Sequence, residues 1–305
     1  MDFLIKPCSF LFIILFAYFL KRVKIFQKEH ALLLLKVIMY VTLPATVVTV
    51  FETFQREYAL GSIIVLGLGM SVIPFFLLYF STRKMKKEQR VYYMICCSGS
   101  NVGCYGLPII QAFYGGVGAL ICVLYDIGNA IMMTSGNYAF TAVLLKTEAE
   151  AVTIRAVVKK FFSSVPVCAY LILFVLGMAG IKLPTVVHTF VEPIASANAF
   201  LAMFMLGLLL EPCTKLVQWK QVGIVLAIRY GIGIGAAIVC YHCLPLSAEI
   251  RQIVVLLLLC PIGSMAPGFV EQCHGDGELA AFTNSVSTVV SLVLMTVLTM
   301  IFKQA

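Results

Sequence analysis

Apolar residues in this chain come in long unbroken runs, and the polar and turn-forming residues collect between them. Ten runs stand out, at about 3 to 20, 31 to 51, 58 to 80, 91 to 113, 117 to 145, 163 to 181, 186 to 211, 220 to 243, 250 to 273 and 277 to 302. At ~1.5 Å of rise per residue, each is close to the ~30 Å needed to cross the hydrocarbon layer of a bilayer as a helix. Lipid offers no partner to a backbone N–H or C=O, so continuous apolar runs of this length are helical. The pattern predicts an all-α integral membrane protein with ten transmembrane helices.

Two of the runs contain residues that a continuous helix does not tolerate. In the fourth, Asn101 to Pro108 reads Asn-Val-Gly-Cys-Tyr-Gly-Leu-Pro, with Gly99 just before it. Glycine costs about 1 kcal/mol and interior proline about 3 kcal/mol relative to alanine, so the helix is expected to break here. Pro108 has no N–H for the carbonyl of Cys104, and a freed carbonyl at membrane depth must be buried in protein or line a wet cavity. Asn101, roughly 10 Å back along the axis, would reach into such a cavity. A plain proline kink, with Asn101 satisfying a backbone group, is the structural alternative. The ninth run repeats the theme as Cys-Pro-Ile-Gly-Ser-Met-Ala-Pro-Gly from Cys260 to Gly268, where Pro261 and Pro267 leave the carbonyls of Leu257 and Gly263 without helical partners.

A shift of 159 residues lays Pro108 on Pro267, Gly116 on Gly275, Gly118 on Gly277 and Leu120 on Leu279. Each half then holds five spans. An odd number per half forces the two copies into opposite orientations, and inverted repeats with a broken helix at matching positions mark secondary transporters. The expected division is 1–146 for the first repeat, 147–162 for a cytoplasmic linker and 163–305 for the second repeat.

Composition agrees with the pattern: 61% of the 305 residues are hydrophobic and 12% are charged, against roughly 25% charged in soluble domains. A net charge of +8 therefore does not indicate nucleic acid. The basic residues sit in short loops, fifteen of them in the first, third, fifth and seventh loops (Lys215 in the seventh among them) against five on the other side (Lys6, Arg56, Lys182, Arg251, Lys303). That asymmetry places the odd-numbered loops in the cytoplasm of a plasma or bacterial inner membrane, with both termini outside. The first run is followed by Lys21, Arg22 and Lys24 and not by a cleavage pattern, so it reads as a retained span. Most of the eleven cysteines fall inside apolar runs at no metal-ligand spacing and read as small packing residues.

Leu43-Pro44 in span two, Asn101 with Gly106-Leu107-Pro108 and Tyr114-Gly115 in span four, and Pro261 with Gly263 in span nine together resemble the auxin efflux carrier family, which includes bacterial malate and malonate permeases and plant auxin exporters. The resemblance covers nearly the whole chain. It implies ten helices in two inverted five-helix repeats, with broken helices four and nine crossing near the membrane centre. It also implies that Asn101 meets the substrate carboxylate. The chain departs from many plant members in lacking a long central loop, which points to a bacterial-type member. Its span-nine segment is also about one residue longer between the prolines.

The intramembrane polar residues supply the remaining candidates. Asp126, in Leu-Tyr-Asp-Ile-Gly-Asn of span five, costs ~3 kcal/mol or more unless it is paired, protonated or wet. It reads either as a proton carrier lining the cavity or as the fixed partner of a donor elsewhere, and Asn129 extends its stripe one turn on. Arg229 in span eight is always charged and must meet a carboxylate, a line of carbonyls or an anion; bracing and substrate coupling both fit. Glu271, one turn past Pro267, faces the cavity or cytoplasmic water. Lys36 reads as snorkelling to the cytoplasmic surface. Met203, Phe204 and Met205 read as core and dimer-facing packing, so a homodimer is an expectation. No nucleophile–base, phosphate-loop, dinucleotide or metal motif is present, and neither an enzyme nor a cofactor is expected.

The sequence thus predicts a secondary carrier that moves a small organic carboxylate by alternating access, with a receptor that binds the same ligand without transport as the alternative. The substrate-binding candidates are Asn101, Gly103, Tyr105, Pro108, Pro261, Gly263, Ser264 and Pro267; the cavity or coupling charges are Asp126, Asn129, Arg229 and Glu271. Half-helix N-termini facing the site, each worth about half a positive charge, favour an anion. The resemblance to bacterial members favours a dicarboxylate, while Tyr105 and apolar walls leave an aromatic carboxylate open. Proton coupling through Asp126 is preferred to sodium. Membrane lipid is the other expected partner, and nucleic acid is not one.

Overall fold

A computed structural model describes residues 2–51, 61–147, 154–211 and 218–304. Arg56 and Lys215 of the charge count, residues 58–60 of the third expected span and residues 148–153 of the expected linker lie outside it. Every regular element among the described residues is helical. In order these are α1 (Asp2–Arg22), α2 (Lys28–Val37), α3 (Leu43–Val50), α4 (Gly61–Ser81), α5 (Lys87–Cys97), α6 (Leu107–Ile131), α7 (Asn137–Leu145), α8 (Ile154–Phe162), α9 (Val165–Ala179), α10 (Thr185–Leu209), α11 (Trp219–Cys243), α12 (Ala248–Leu258), α13 (Ala266–Gln272) and α14 (Gly277–Gln304). Wide π turns join α2 to α3 (Ile38–Thr42), lead into α6 (Val102–Gly106) and join α6 to α7 (Met132–Gly136).

Six stretches are long and apolar enough to cross a membrane: Lys28–Val50, Gly61–Ser81, Val102–Leu145, Thr185–Leu209, Trp219–Cys243 and Gly277–Lys303. The pair α8 and α9, bent by 75°, makes a seventh if it counts as one span. The chain is a multi-pass helical membrane protein. The expected fourth and ninth spans are not continuous helices. At 11 residues, α5 and α12 each reach only about 16 Å, roughly half the hydrocarbon thickness, and α13 has 7 residues.

The break in the fourth run lies earlier than Pro108. α5 ends at Cys97, Ser98 is extended, Gly99 takes φ +71°, and the chain turns through Asn101 before winding up again. A left-handed φ of this size is open to glycine and strained for other side chains. Pro108 falls in the first turn of the restarted helix α6, and Pro267 does the same in α13. In α13 the missing N–H removes nothing, because first-turn N–H groups have no helical acceptor in any case, whereas Pro108 follows the π turn Val102–Gly106 and lies within winding that has already resumed. The prolines mark where helix resumes, and the glycines and polar residues ahead of them make the break.

The α10 helix packs against α1, α2 and α3, with α9 alongside α3; α4 packs on α6, α11 on α12, and α13 on α14. The α4–α6 approach is close enough that a Cβ at Gly67 would overlap the Tyr125 carbonyl and one at Gly128 the Ile64 carbonyl. Backbones drawn together in this way hold Asp126 and Asn129, which flank Gly128, against the first break. Met203 and Met205 are fully buried and the Phe204 ring lies against Phe26 and Phe200, so this cluster packs within the chain.

Candidate functional site

The two breaks touch. The Asn101 N–H donates to the Pro261 carbonyl at 3.0 Å, and a Cβ at Gly106 would lie 2.7 Å from the Cys260 sulfur. Backbone groups freed at a break must find partners, and each break finds several of them on helices later in the chain. At the first, the Asn129 side chain accepts from the Ser100 N–H at 2.9 Å and donates to the Ser100 carbonyl at 2.8 Å, while Asn137 donates to the Ser98 carbonyl at 3.3 Å. At the second, Ser291 donates to the Leu259 carbonyl at 2.7 Å and the Ile262 N–H donates to Ser287 at 3.0 Å. Arg229 ties the two together. One guanidinium nitrogen donates to Ser100 Oγ at 2.9 Å and to the Cys260 and Pro261 carbonyls at 3.0 and 2.9 Å, and the other reaches the Cys96 carbonyl at 3.4 Å. Of the two readings left open for Arg229, its contacts are those of a brace.

Beside the crossing lies a cavity of about 400 Å³. Asn101, Gly103, Asp126, Asn129 and Ser264 of the expected residues line it, together with Lys36, Met133, Lys160 and Tyr170. Asp126 is half-buried and accepts from Asn129 Nδ2 at 2.8 Å and from the Tyr170 hydroxyl at 3.2 Å; among the described residues no cation pairs with it. Gly103 lets the backbone pass this carboxylate, since a Cβ there would sit 3.3 Å from Asp126 Oδ2. The Asn101 side chain is buried, 5% exposed, and its Nδ2 has no hydrogen-bond partner among the described residues. A buried amide donor left unpaired costs about 1 to 3 kcal/mol, so this nitrogen is poised for an acceptor that the chain does not itself supply.

Other expected residues lie elsewhere. Tyr105 is fully buried and donates to the Thr288 carbonyl at 2.9 Å, so its ring packs in the core between the half-helices and not against the cavity. Pro108 lines a different cavity. The Pro261 carbonyl is spent on Asn101 and Arg229, and Gly263 gives up its Cβ space to Met133, whose thioether also fills the space beside Gly99. Pro267 lies inside α13, and Glu271 is exposed near the end of that helix, outside the cavity lining. Sequence reasoning passed over Tyr170, whose lone hydroxyl in an apolar run was the available signal. It also passed over Lys160, which was counted only as a loop charge, and Met133, which carries no signal in the sequence.

Among its lining residues the cavity carries two fixed cations, Lys36 and Lys160, against the single carboxylate of Asp126. A space with one excess positive charge among its described lining residues and the unpaired Asn101 amide donor suits an anion with oxygen acceptors. A family model described as membrane transport protein matches residues 4–299. A search of curated proteins found no match.

Proposed function

The chain belongs to the auxin efflux carrier family of membrane transport proteins, which are transporters and not enzymes, and from that premise we propose that it carries a small organic carboxylate across the membrane by alternating access. The observation that carries this reading is the unpartnered Nδ2 of Asn101, buried at the break and facing a cavity of net positive fixed charge. The restarted helices support it, because Val102 and Met265 at their starts both line that cavity and bring partial positive charge to it. Lys36 and Lys160 suit a second carboxylate, which favours a dicarboxylate.

The architecture that fits is ten spans in two inverted five-span repeats, residues 1–146 and 163–305, joined by a cytoplasmic linker at 147–162. The 44-residue stretch Val102–Leu145 is about twice the length of one crossing, and Gly115, at φ 59° and ψ −144°, supplies a turn within it. Each repeat then has its break braced by its own last span. The basic loops put the Lys36 and Lys160 cavity on the cytoplasmic side of the plasma membrane and both termini outside. Asp126, the carboxylate nearest to Gly103, is the proton-coupling group.

Counterflow in proteoliposomes tests the proposal. Preloaded unlabelled dicarboxylate is expected to drive uptake of labelled dicarboxylate, with Asn101→Ala reducing it. Saturable binding with no counterflow would make the protein a receptor and overturn the transport reading.

A further inference from the structure

The Met133 side chain is wedged between the two breaks. It comes from the π turn that joins α6 to α7, is half-buried, and lines the cavity beside the crossing. Its thioether occupies space that two glycines leave empty, one in each break. A Cβ at Gly99 would overlap the Met133 sulfur and come within 3.2 Å of its Cγ, and a Cβ at Gly263 would lie 2.6 Å from the same sulfur and overlap the terminal methyl. The two glycines thus wall a slot that holds one unbranched chain. Gly99 is needed for its φ of +71° as well, but Gly263 does not take a left-handed φ, so what its missing side chain supplies is space.

The residues next to these glycines carry polar groups of the cavity: Ser100 and Asn101 follow Gly99, and Ser264 follows Gly263. The slot therefore adjoins the break that presents the unpaired Asn101 Nδ2. Tyr105, the ring expected from the sequence at this wall, is turned into the core against Thr288. An apolar substituent on a carboxylate held at Asn101 meets a thioether in its place. Methionine suits the position because its unbranched, polarisable chain fills an irregular gap between backbones.

We propose that Met133 is a specificity-determining residue: its thioether fills the slot between Gly99 and Gly263 and so excludes ring-bearing carboxylates from a cavity that otherwise has the volume for them. At about 400 Å³ the cavity lies within the range of pockets that enclose ring-containing ligands. A slot walled by two glycine backbones, once emptied, takes a flat ring more readily than a bulky branched group. This inference rests on the carboxylate reading above and adds which carboxylates are admitted. One methylene more or fewer in an apolar pocket changes discrimination by about tenfold to 200-fold, and Met133→Ala removes everything beyond Cβ.

The test is titration calorimetry of malonate and phenylmalonate on the purified full chain and its variants. The readout is the ratio of the two dissociation constants, because a variant that only loosens the fold weakens both acids alike. The parent is expected to favour malonate. Met133→Ala should shift the ratio toward phenylmalonate by about tenfold or more, and Met133→Val, which also lacks atoms at the sulfur position, gives the same reading if the alanine variant does not purify. Met133→Leu, which keeps the volume, should stay near the parent ratio. Adding Gly263→Ala to Met133→Ala puts a methyl back into the slot and should remove most of the gain. An unchanged ratio in both shortened variants, or a gain that survives Gly263→Ala in full, would overturn the proposal while malonate binding left the carboxylate reading standing. No binding of either acid to the parent or to any variant would overturn the carboxylate reading itself, and this inference with it.

Discussion

The two helix breaks answer the same problem with different chemistry. The first, from Ser98 to Gly106, is held by the amides of Asn129 and Asn137, with the carboxylate of Asp126 behind them. The second, from Leu259 to Met265, is held by the hydroxyls of Ser287 and Ser291, and Tyr230 closes that network by bonding both serines at 3.1 and 2.7 Å. Hydroxyls rotate to suit their partners, so the second break is satisfied internally and packs shut apart from Ser264 and Met265 at the cavity. The first leaves the Asn101 amide nitrogen over and keeps an ionisable group next to it. On the proposed function the second break is a fulcrum and the first a binding surface, although both were built from glycine and proline in apolar runs.

That contrast ranks the expected effects of substitution. Arg229→Met should act on both breaks at once by stranding the Cys96, Cys260 and Pro261 carbonyls, and it should cost at least 3 kcal/mol of stability. A collapse of detergent-solubilised yield and thermal midpoint is the expected observation, and a variant as stable as the parent would show that the breaks do not depend on the guanidinium. Asn101→Ala acts only on the binding side. Its Nδ2 holds nothing in the fold, so the thermal midpoint should stay near that of the parent while dicarboxylate binding weakens by about 1.5 to 3 kcal/mol, tenfold to over a hundredfold in Kd by titration calorimetry.

Asp126→Asn keeps the side chain's shape, removes the titratable proton and leaves one acceptor oxygen where Asn129 and Tyr170 now donate to two. If Asp126 couples the proton, the variant should still exchange carboxylate but lose the roughly tenfold accumulation that one coupled proton supplies per pH unit, about 1.4 kcal/mol. Retained pH-driven accumulation in sealed vesicles would assign coupling elsewhere. Ser287→Ala should have the smallest effect, about 1 kcal/mol, from the unpaired Ile262 N–H, with binding unchanged. A Kd shift as large as that of Asn101→Ala would mean that the second break is also a binding surface.

Much of this was legible before any coordinates. Apolar runs long enough to span a bilayer dictate helix, because lipid leaves the backbone no other way to pair, and the family match over residues 4–299 agrees with the resemblance read from the sequence. The placing of a break in each of the fourth and ninth runs, and the choice of Asn101, Gly103, Asp126, Asn129 and Ser264 as cavity residues, came from local chemistry: residues too costly for a helix or for hydrocarbon. Local chemistry could not say which way each group turns. Tyr105 and Tyr170 are both tyrosines in apolar runs, yet one points into the core at Thr288 and the other onto Asp126. Pro108 looked like the cause of a break and sits at the start of α6, after the π turn in which the winding has already resumed. Lys36 and Lys160 are 124 positions apart and share a cavity only because α2 and α8 reach the same end of the bundle. Periodicity and helix propensity act over a few residues and are written in the chain; partners for a guanidinium, an amide or a freed carbonyl are set by which helices are brought into contact, and only the packed structure decides that.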